Sequence, residues 1–145
     1  LKDGFDEAMG DEAGHFTWCQ WIINDLSVSR AREQLETQIM SYPDLRAVFT
    51  LGTESVITGT MEAIRCQKQE GSYITTDSTI PPLEAGVDEG LITGIVDQNS
   101  EAIGSLLVDK LADAVEGREI SKEYPVDVTW IEAENLKEYG KNHKR

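Results

Sequence analysis

Apolar and polar positions along this chain follow two rhythms, one helical and one of strands, and the switches between them predict most of its elements. The opening Leu1-Lys2-Asp3-Gly4-Phe5-Asp6-Glu7-Ala8-Met9 reads as a helix entered from inside, with no cap before it, as expected of a piece of a longer protein. Gly10 and Gly14 mark a turn, and residues 16–23, rich in aromatic and β-branched side chains, read as a strand. The capping-rich loop 24–29 leads to a helix with Ala31, Leu35 and Ile39 on one face, stopped by Tyr42-Pro43-Asp44.

The middle of the chain repeats this alternation. Ala47–Leu51 is a nearly continuous apolar run, the pattern of a strand buried on both faces. Gly52-Thr53-Glu54-Ser55 opens a helix carrying Val56, Ile57, Thr60, Met61 and Ile64, which ends near Gly71. Ser72–Thr76 is a further strand, 83–89 a short helix ended by Gly90, and 91–96 a fourth strand. Asn99 or Ser100 caps a long helix with Ile103, Leu106, Leu107, Leu111, Ala114 and Val115 on one stripe and Gly117 at its end. In 124–130, Tyr124, Val126, Val128 and Trp130 alternate with polar residues, as in a strand with one wet face, and the tail 137–145 reads as polar and frayed.

Strands alternating with helices predict βαβ units and a mainly parallel sheet with helices on both faces, in an α/β fold. Ligands of such sheets bind beyond the carboxyl ends of the strands, which selects the loops 23–29, 52–55, 77–82 and 97–100. The 145 residues suit one domain, and no apolar run approaches the ~20 residues of a membrane-spanning helix. A formal charge of −14, from 13 basic and 27 acidic residues, argues against nucleic acid and anionic membrane surfaces as partners. Cys19 and Cys66 are too few and too far apart for a zinc site or a disulfide framework; they read as two separate buried thiols, with a single bridge between them as the alternative.

Catalytic kits are missing from the selected loops. The chain has no GxGxxG after a strand, no GxxxxGK[ST] and no GxSxG. His15 and His143 are the only histidines, one before a strand and one in the tail, so no Ser–His or Cys–His catalytic pair is expected, and the ligand inventory is too poor for a resident metal or cofactor. Of the loop carboxylates Asp25, Glu54, Asp77 and Asp97, the spacing is not that of a calcium loop, and Asp25 and Glu54 stand where helices begin. The loops do offer neutral hydrogen bonding from Asn24, Thr53, Ser55, Ser78, Thr79, Gln98 and Asn99. Amides and hydroxyls with one or two carboxylates suit a polyhydroxylated ligand, whose hydroxyls both donate and accept; the same residue types also make ordinary turns.

The ordered elements resemble the carboxyl-terminal half of the type I periplasmic binding proteins, the ribose/galactose-type sugar-binding proteins of ABC importers. The residues 1–9 resemble that family's R-x-x-G-F helix; "LETQIMSYPDLRAVF" and "LGTESVITGTMEAI" are similar to its P-D-hydrophobic passage and the following loop and helix. "GLITGIVDQNSEAIG" resembles its hinge stretch, and "YPVDVTWIEAEN" its closing strand and E-N tail. The resemblance implies a partial, Rossmann-like lobe that binds a sugar without chemistry, in an extracytoplasmic protein working with a membrane permease. It carries the family's carboxylate to Asp77, its hinge glutamine to Gln98, its N-D pair into Thr53-Glu54, and its stacking aromatic to Leu26, where the stacking platform is lost. The family's arginine falls on Leu1.

It also implies a division of the chain. Residues 1–98 and about 128–140 correspond to the ligand-binding lobe, and 99–127 to a segment that crosses into the other lobe. Helix 100–116 would then need cover from a second copy, in a homodimer, or from its own lobe by folding back. An effector-binding domain of a lac-repressor-type transcription regulator shares this fold and is the alternative reading.

Overall fold

The computed structural model describes residues 2–11, 14–15, 17–19, 22, 25–51, 53–68, 71–76 and 81–142. Its elements run α1 (Lys2–Asp11), α2 (Val28–Ser41), β1 (Ala47–Leu51), α3 (Glu54–Gln67), β2 (Ser72–Thr76), α4 (Pro81–Asp88), β3 (Gly94–Asp97), α5 (Ser100–Val115), β4 (Thr129–Ile131) and α6 (Leu136–Asn142). The four strands form one sheet in the order β1-β2-β3-β4, with β1, β2 and β3 parallel and β4 antiparallel to β3. The mainly parallel α/β sheet expected from the alternation is therefore present, but the strand expected at 16–23 does not appear at 17–19 or 22, and its other four positions lie outside the described residues.

Packing follows from the two-residue period of the strands. Thr50, Tyr73 and Thr75 share a face and are joined there: the Thr50 hydroxyl donates to Thr75 Oγ1 at 2.8 Å and lies 3.0 Å from the Tyr73 hydroxyl. Beneath α3 this face closes over Leu35, Ile57, Met61, Ile64, Ile95 and Ile131, with Leu83 and Val87 from α4. Phe49 alternates to the other face, where Phe5 of α1 stacks on it at 5.4 Å. Helices thus cover both faces, as predicted. Helix α2 packs on α3 through a glycine: a Cβ at Gly59 would meet the Val28 carbonyl at 2.2 Å, so only glycine permits this approach.

Helix ends follow from capping chemistry. Ser27 caps α2, its side chain accepting from the Arg30 amide, and Asn99 caps α5 by accepting from the Ala102 amide at 3.2 Å. Helix α4 closes through Gly90 at φ 72°, with the Leu91 and Ile92 amides turned back onto the Gly86 carbonyl. Those two amides are spent on the helix end, so β3 starts at Gly94 instead of at the expected position 91.

Three further expectations are corrected. The strand read over 124–130 is only Thr129–Ile131, because its partner β3 ends at Asp97, opposite Thr129, and the residues before 129 face no strand. The tail forms α6, which seats Leu136 in the core, where a frayed segment was expected. Cys19 and Cys66 are free but exposed, not buried.

The long helix departs most from the rest. No residue of α5 is buried, and Leu107, Val108, Leu111 and Val115 are 65–81% exposed. Folding back onto its own lobe, one of the two covers expected for this stripe, does not occur. Residues 116–128, which return from α5 to β4, contain no buried position either. The helix and its return are tied to each other: Lys110 lies 5.1 Å from the centre of the Tyr124 ring, and Asp113 pairs with both Lys110 and Arg118. The Lys110 and Arg118 hydrogen bonds hold the Asp113 carboxyl below the usual range.

Candidate functional site

The parallel strands all end on one edge, and the residues that follow them form a rim. Thr53 and Glu54 follow β1, Thr76 ends β2, Gln98 follows β3, and Thr129 begins β4 on the same edge. Thr53–Glu54 and Gln98 are thus two strand spacings apart, about 10 Å, a gap that one small ring and its hydrogen bonds can bridge. The helix α2 runs antiparallel to the strands and brings its start to the same edge, since Val28 lies against Gly59 in the second turn of α3. Leu26 and Ser27 close the rim on that side.

Among the described residues, the side chains of Thr53, Glu54 and Gln98 make no hydrogen bond or ion pair. Thr53 is the N-cap residue of α3 yet makes no side-chain cap hydrogen bond, so its hydroxyl is available to a ligand. Glu54 lies in the first turn of α3, where the helix dipole favours a carboxylate. Both are exposed, as is Gln98. Leu26 holds a left-handed backbone conformation, φ 57°, which is uncommon for a branched side chain and turns 57% of the residue to solvent. The rim therefore combines a hydroxyl, a carboxylate, an amide and an apolar side chain.

Of the sequence-predicted site residues, the structure brings Thr53, Glu54, Gln98 and Leu26 to one edge. Asp77, with Asn24, Ser78 and Thr79, lies outside the described residues. Asp25 does not cap α2; it lies 3.4 Å from Arg30, and Ser27 is the cap. Asp97 is not an open loop carboxylate but the last residue of β3, almost fully buried, accepting from the Tyr139 hydroxyl at 2.6 Å and the Asn99 amide at 3.1 Å. Among the described residues no cluster of His, Cys, Asp and Glu has the grouping of a metal site.

Sequence reasoning missed Tyr139. The available signal was Leu136 and Tyr139 three residues apart, one short apolar face of a helix within the tail.

No protein-family model matches the chain, and no curated protein sequence does. Solved structures do match it. A solute-binding protein of an ABC transporter from Agrobacterium vitis, bound with α-D-tagatopyranose, superposes with a TM-score of 0.82 at 23% identity, over 92% of this chain and 45% of that one. A carbohydrate-transporter solute-binding protein from Agrobacterium radiobacter, in complex with D-arabinose, gives 0.82 at 17% identity, over 93% and 46%. The periplasmic component of an ABC-type sugar transport system from Hahella chejuensis gives 0.65 at 29% identity, over 72% and 38%. The fold is that of one half of a type I periplasmic sugar-binding protein, and the chain spans less than half the length of the structures it matches.

Proposed function

We propose that this chain is the carboxyl-terminal ligand-binding lobe of an ABC importer's solute-binding protein, taking a sugar or similar polyhydroxylated molecule on the strand-end rim without chemical change. One observation carries the reading: the groups left unspent on the carboxyl edge are those that match a polyol, in a fold otherwise found in sugar-bound solute-binding proteins. Gln98 and Asp77 would bond the hydroxyls, Thr53 and Glu54 would do so from the far side of β2, and Leu26 would offer an apolar wall. The regulator alternative would place this acidic chain beside DNA, against its charge of −14.

In the same reading residues 99–127 are an arm that crosses into a second lobe and returns, leaving 1–98 and about 128–140 as the lobe proper. The exposed stripe on α5 is covered there by the second lobe, and in the isolated chain by another copy. The parent protein works outside the cytoplasmic membrane with a permease. Among the described residues, no helix is long and apolar enough to cross a membrane.

The test is an amide-resonance titration of the chain with D-arabinose and D-tagatose up to about 100 mM. A ligand bonded from one lobe stays open to water, where each hydrogen bond is worth ~0.5–1.5 kcal/mol. Three or four of them hardly exceed the ~4 kcal/mol or more lost on immobilising the ligand. The expected result is millimolar binding, with shifts concentrated at Leu26, Thr53, Glu54 and Gln98 and reduced in Gln98→Ala. Absent shifts, or shifts confined to the α2–α3 surface, would overturn the assignment of the rim.

A further inference from the structure

The arm leaves the lobe after Asp97 and comes back at Thr129, and these two residues are paired partners in the β3–β4 ladder. Both ends of a segment without a buried residue are therefore fixed side by side on one sheet edge, which is the geometry of a two-stranded hinge. At the outgoing strand the Asp97 side chain holds the chain. One oxygen of the Asp97 carboxylate accepts from the Asn99 amide and from the Tyr139 hydroxyl, so Gln98 is bracketed between two residues joined by a hydrogen bond. Asn99 adopts a left-handed conformation, φ 54° and ψ 58°, and caps α5 through its own side chain. A non-glycine residue holds that conformation at a cost, and its surroundings must impose it. Tyr139 is anchored in turn, because α6 seats Leu136 in the core and Asn135 ties its start to β4, donating to the Trp130 carbonyl at 2.9 Å and accepting from the Glu132 amide at 2.8 Å.

We propose that the Tyr139–Asp97 hydrogen bond is the latch of this hinge: it sets the angle at which the arm leaves the lobe and the way Gln98 is presented on the rim. Asp97 and Tyr139 are positioning residues and need touch no ligand. The inference rests on the reading of Gln98 as a rim residue and of 99–127 as a crossing arm, but its test needs no sugar, so the two can fail separately.

The experiment is amide hydrogen exchange on the 145-residue chain and its Tyr139→Phe variant, followed residue by residue. Loss of one hydroxyl bond should speed exchange about three- to tenfold at Asn99, Ala102 and Ile103, whose amides close the turn and the first turn of α5. It should also shift the Gln98 side-chain amide resonances, and leave Ser72 and Thr93 in the sheet unchanged. Asp97→Asn, which keeps a weaker neutral acceptor, should reproduce the same pattern at smaller size. Unchanged exchange at Asn99 in the variants that fold overturns the latch. An acceleration that reaches Ser72 and Thr93 equally also overturns it, by making Tyr139 an ordinary core contact.

Discussion

At the scale of single residues, the buried polar groups are the most constrained part of the lobe. Tyr73 is 1% exposed and sets its hydroxyl among Thr50, Thr60 and Thr75, between the sheet and α3. Burial pushes this phenol above its usual range, because a phenolate would have to form away from water; the threonine hydrogen bonds offset only part of that. A group whose folded-state pKa is raised contributes its stability fully below the unfolded value, about 10, and loses it as pH rises through the folded value. The chain should therefore lose stability above about pH 10, and urea denaturation across pH 8–11 should show a shallower loss in Tyr73→Phe. At neutral pH the same variant should cost about 0.5–1.5 kcal/mol for the lost hydroxyl bonds. Equal alkaline slopes in the two proteins would show that Tyr73 titrates as freely folded as unfolded. None of this network was legible beforehand: Tyr73, Thr75 and Thr50 read only as strand formers, and their union depends on the parallel register of β1 with β2. Asp97 was misread for a related reason, since its partner Tyr139 is 42 residues away and no local pattern pairs them.

At the scale of elements, what the sequence revealed depends on how much of each element's signal is local. The strands β1 and β2 have the bounds that their apolar runs predicted, because Ala47–Leu51 and Ser72–Thr76 are each flanked by helix ends that admit no other reading. Boundaries drifted wherever an element's end is set by a distant partner: β3 starts late because α4 takes its first amides, and β4 is short because β3 is short. The pairing of α2 with α3 was also invisible, although the two helices approach closely at Gly59. It rests on Gly59, which read only as one residue within a helix. Gly59→Ala places a methyl group 2.2 Å from the Val28 carbonyl and 3.0 Å from Ala31 Cβ, and neither can yield without moving α2. Overpacking of this kind costs about 1–3 kcal/mol, and more where backbone is the obstacle, so the upper end of that range is expected in urea denaturation. Alanine otherwise favours a helix interior by roughly 1 kcal/mol over glycine. A variant as stable as the wild type, or more so, would mean that the two helices part easily, and that the start of α2, with Leu26 on the rim, is loosely held.

At the scale of the whole molecule, the lobe and the arm differ in kind: one has a closed core, the other has none. The stripe on α5 was legible in the sequence as an apolar face demanding cover, while the source of that cover was not, since the pattern of a helix face does not name what it packs against. The four exposed side chains Leu107, Val108, Leu111 and Val115 have on the order of 100 Å2 of apolar area each, worth about 25 cal/mol per Å2 if buried, so on the order of 10 kcal/mol depends on their being covered. That is comparable to the stability of an entire domain, and a patch of this extent on an isolated chain drives association. A symmetric pair of arms, each laying its stripe on the other, gives the same surface on both copies the same cover. Light scattering over rising concentration should therefore show the wild-type chain passing from monomer to dimer. Leu107→Glu should remain monomeric, because it sets two carboxylates against each other near the centre of such a pair. Its thermal unfolding at low concentration should match the wild type, since Leu107 is 65% exposed in the single chain and contributes little to the core. A wild type that stays monomeric at every concentration would overturn the pairing of copies through α5.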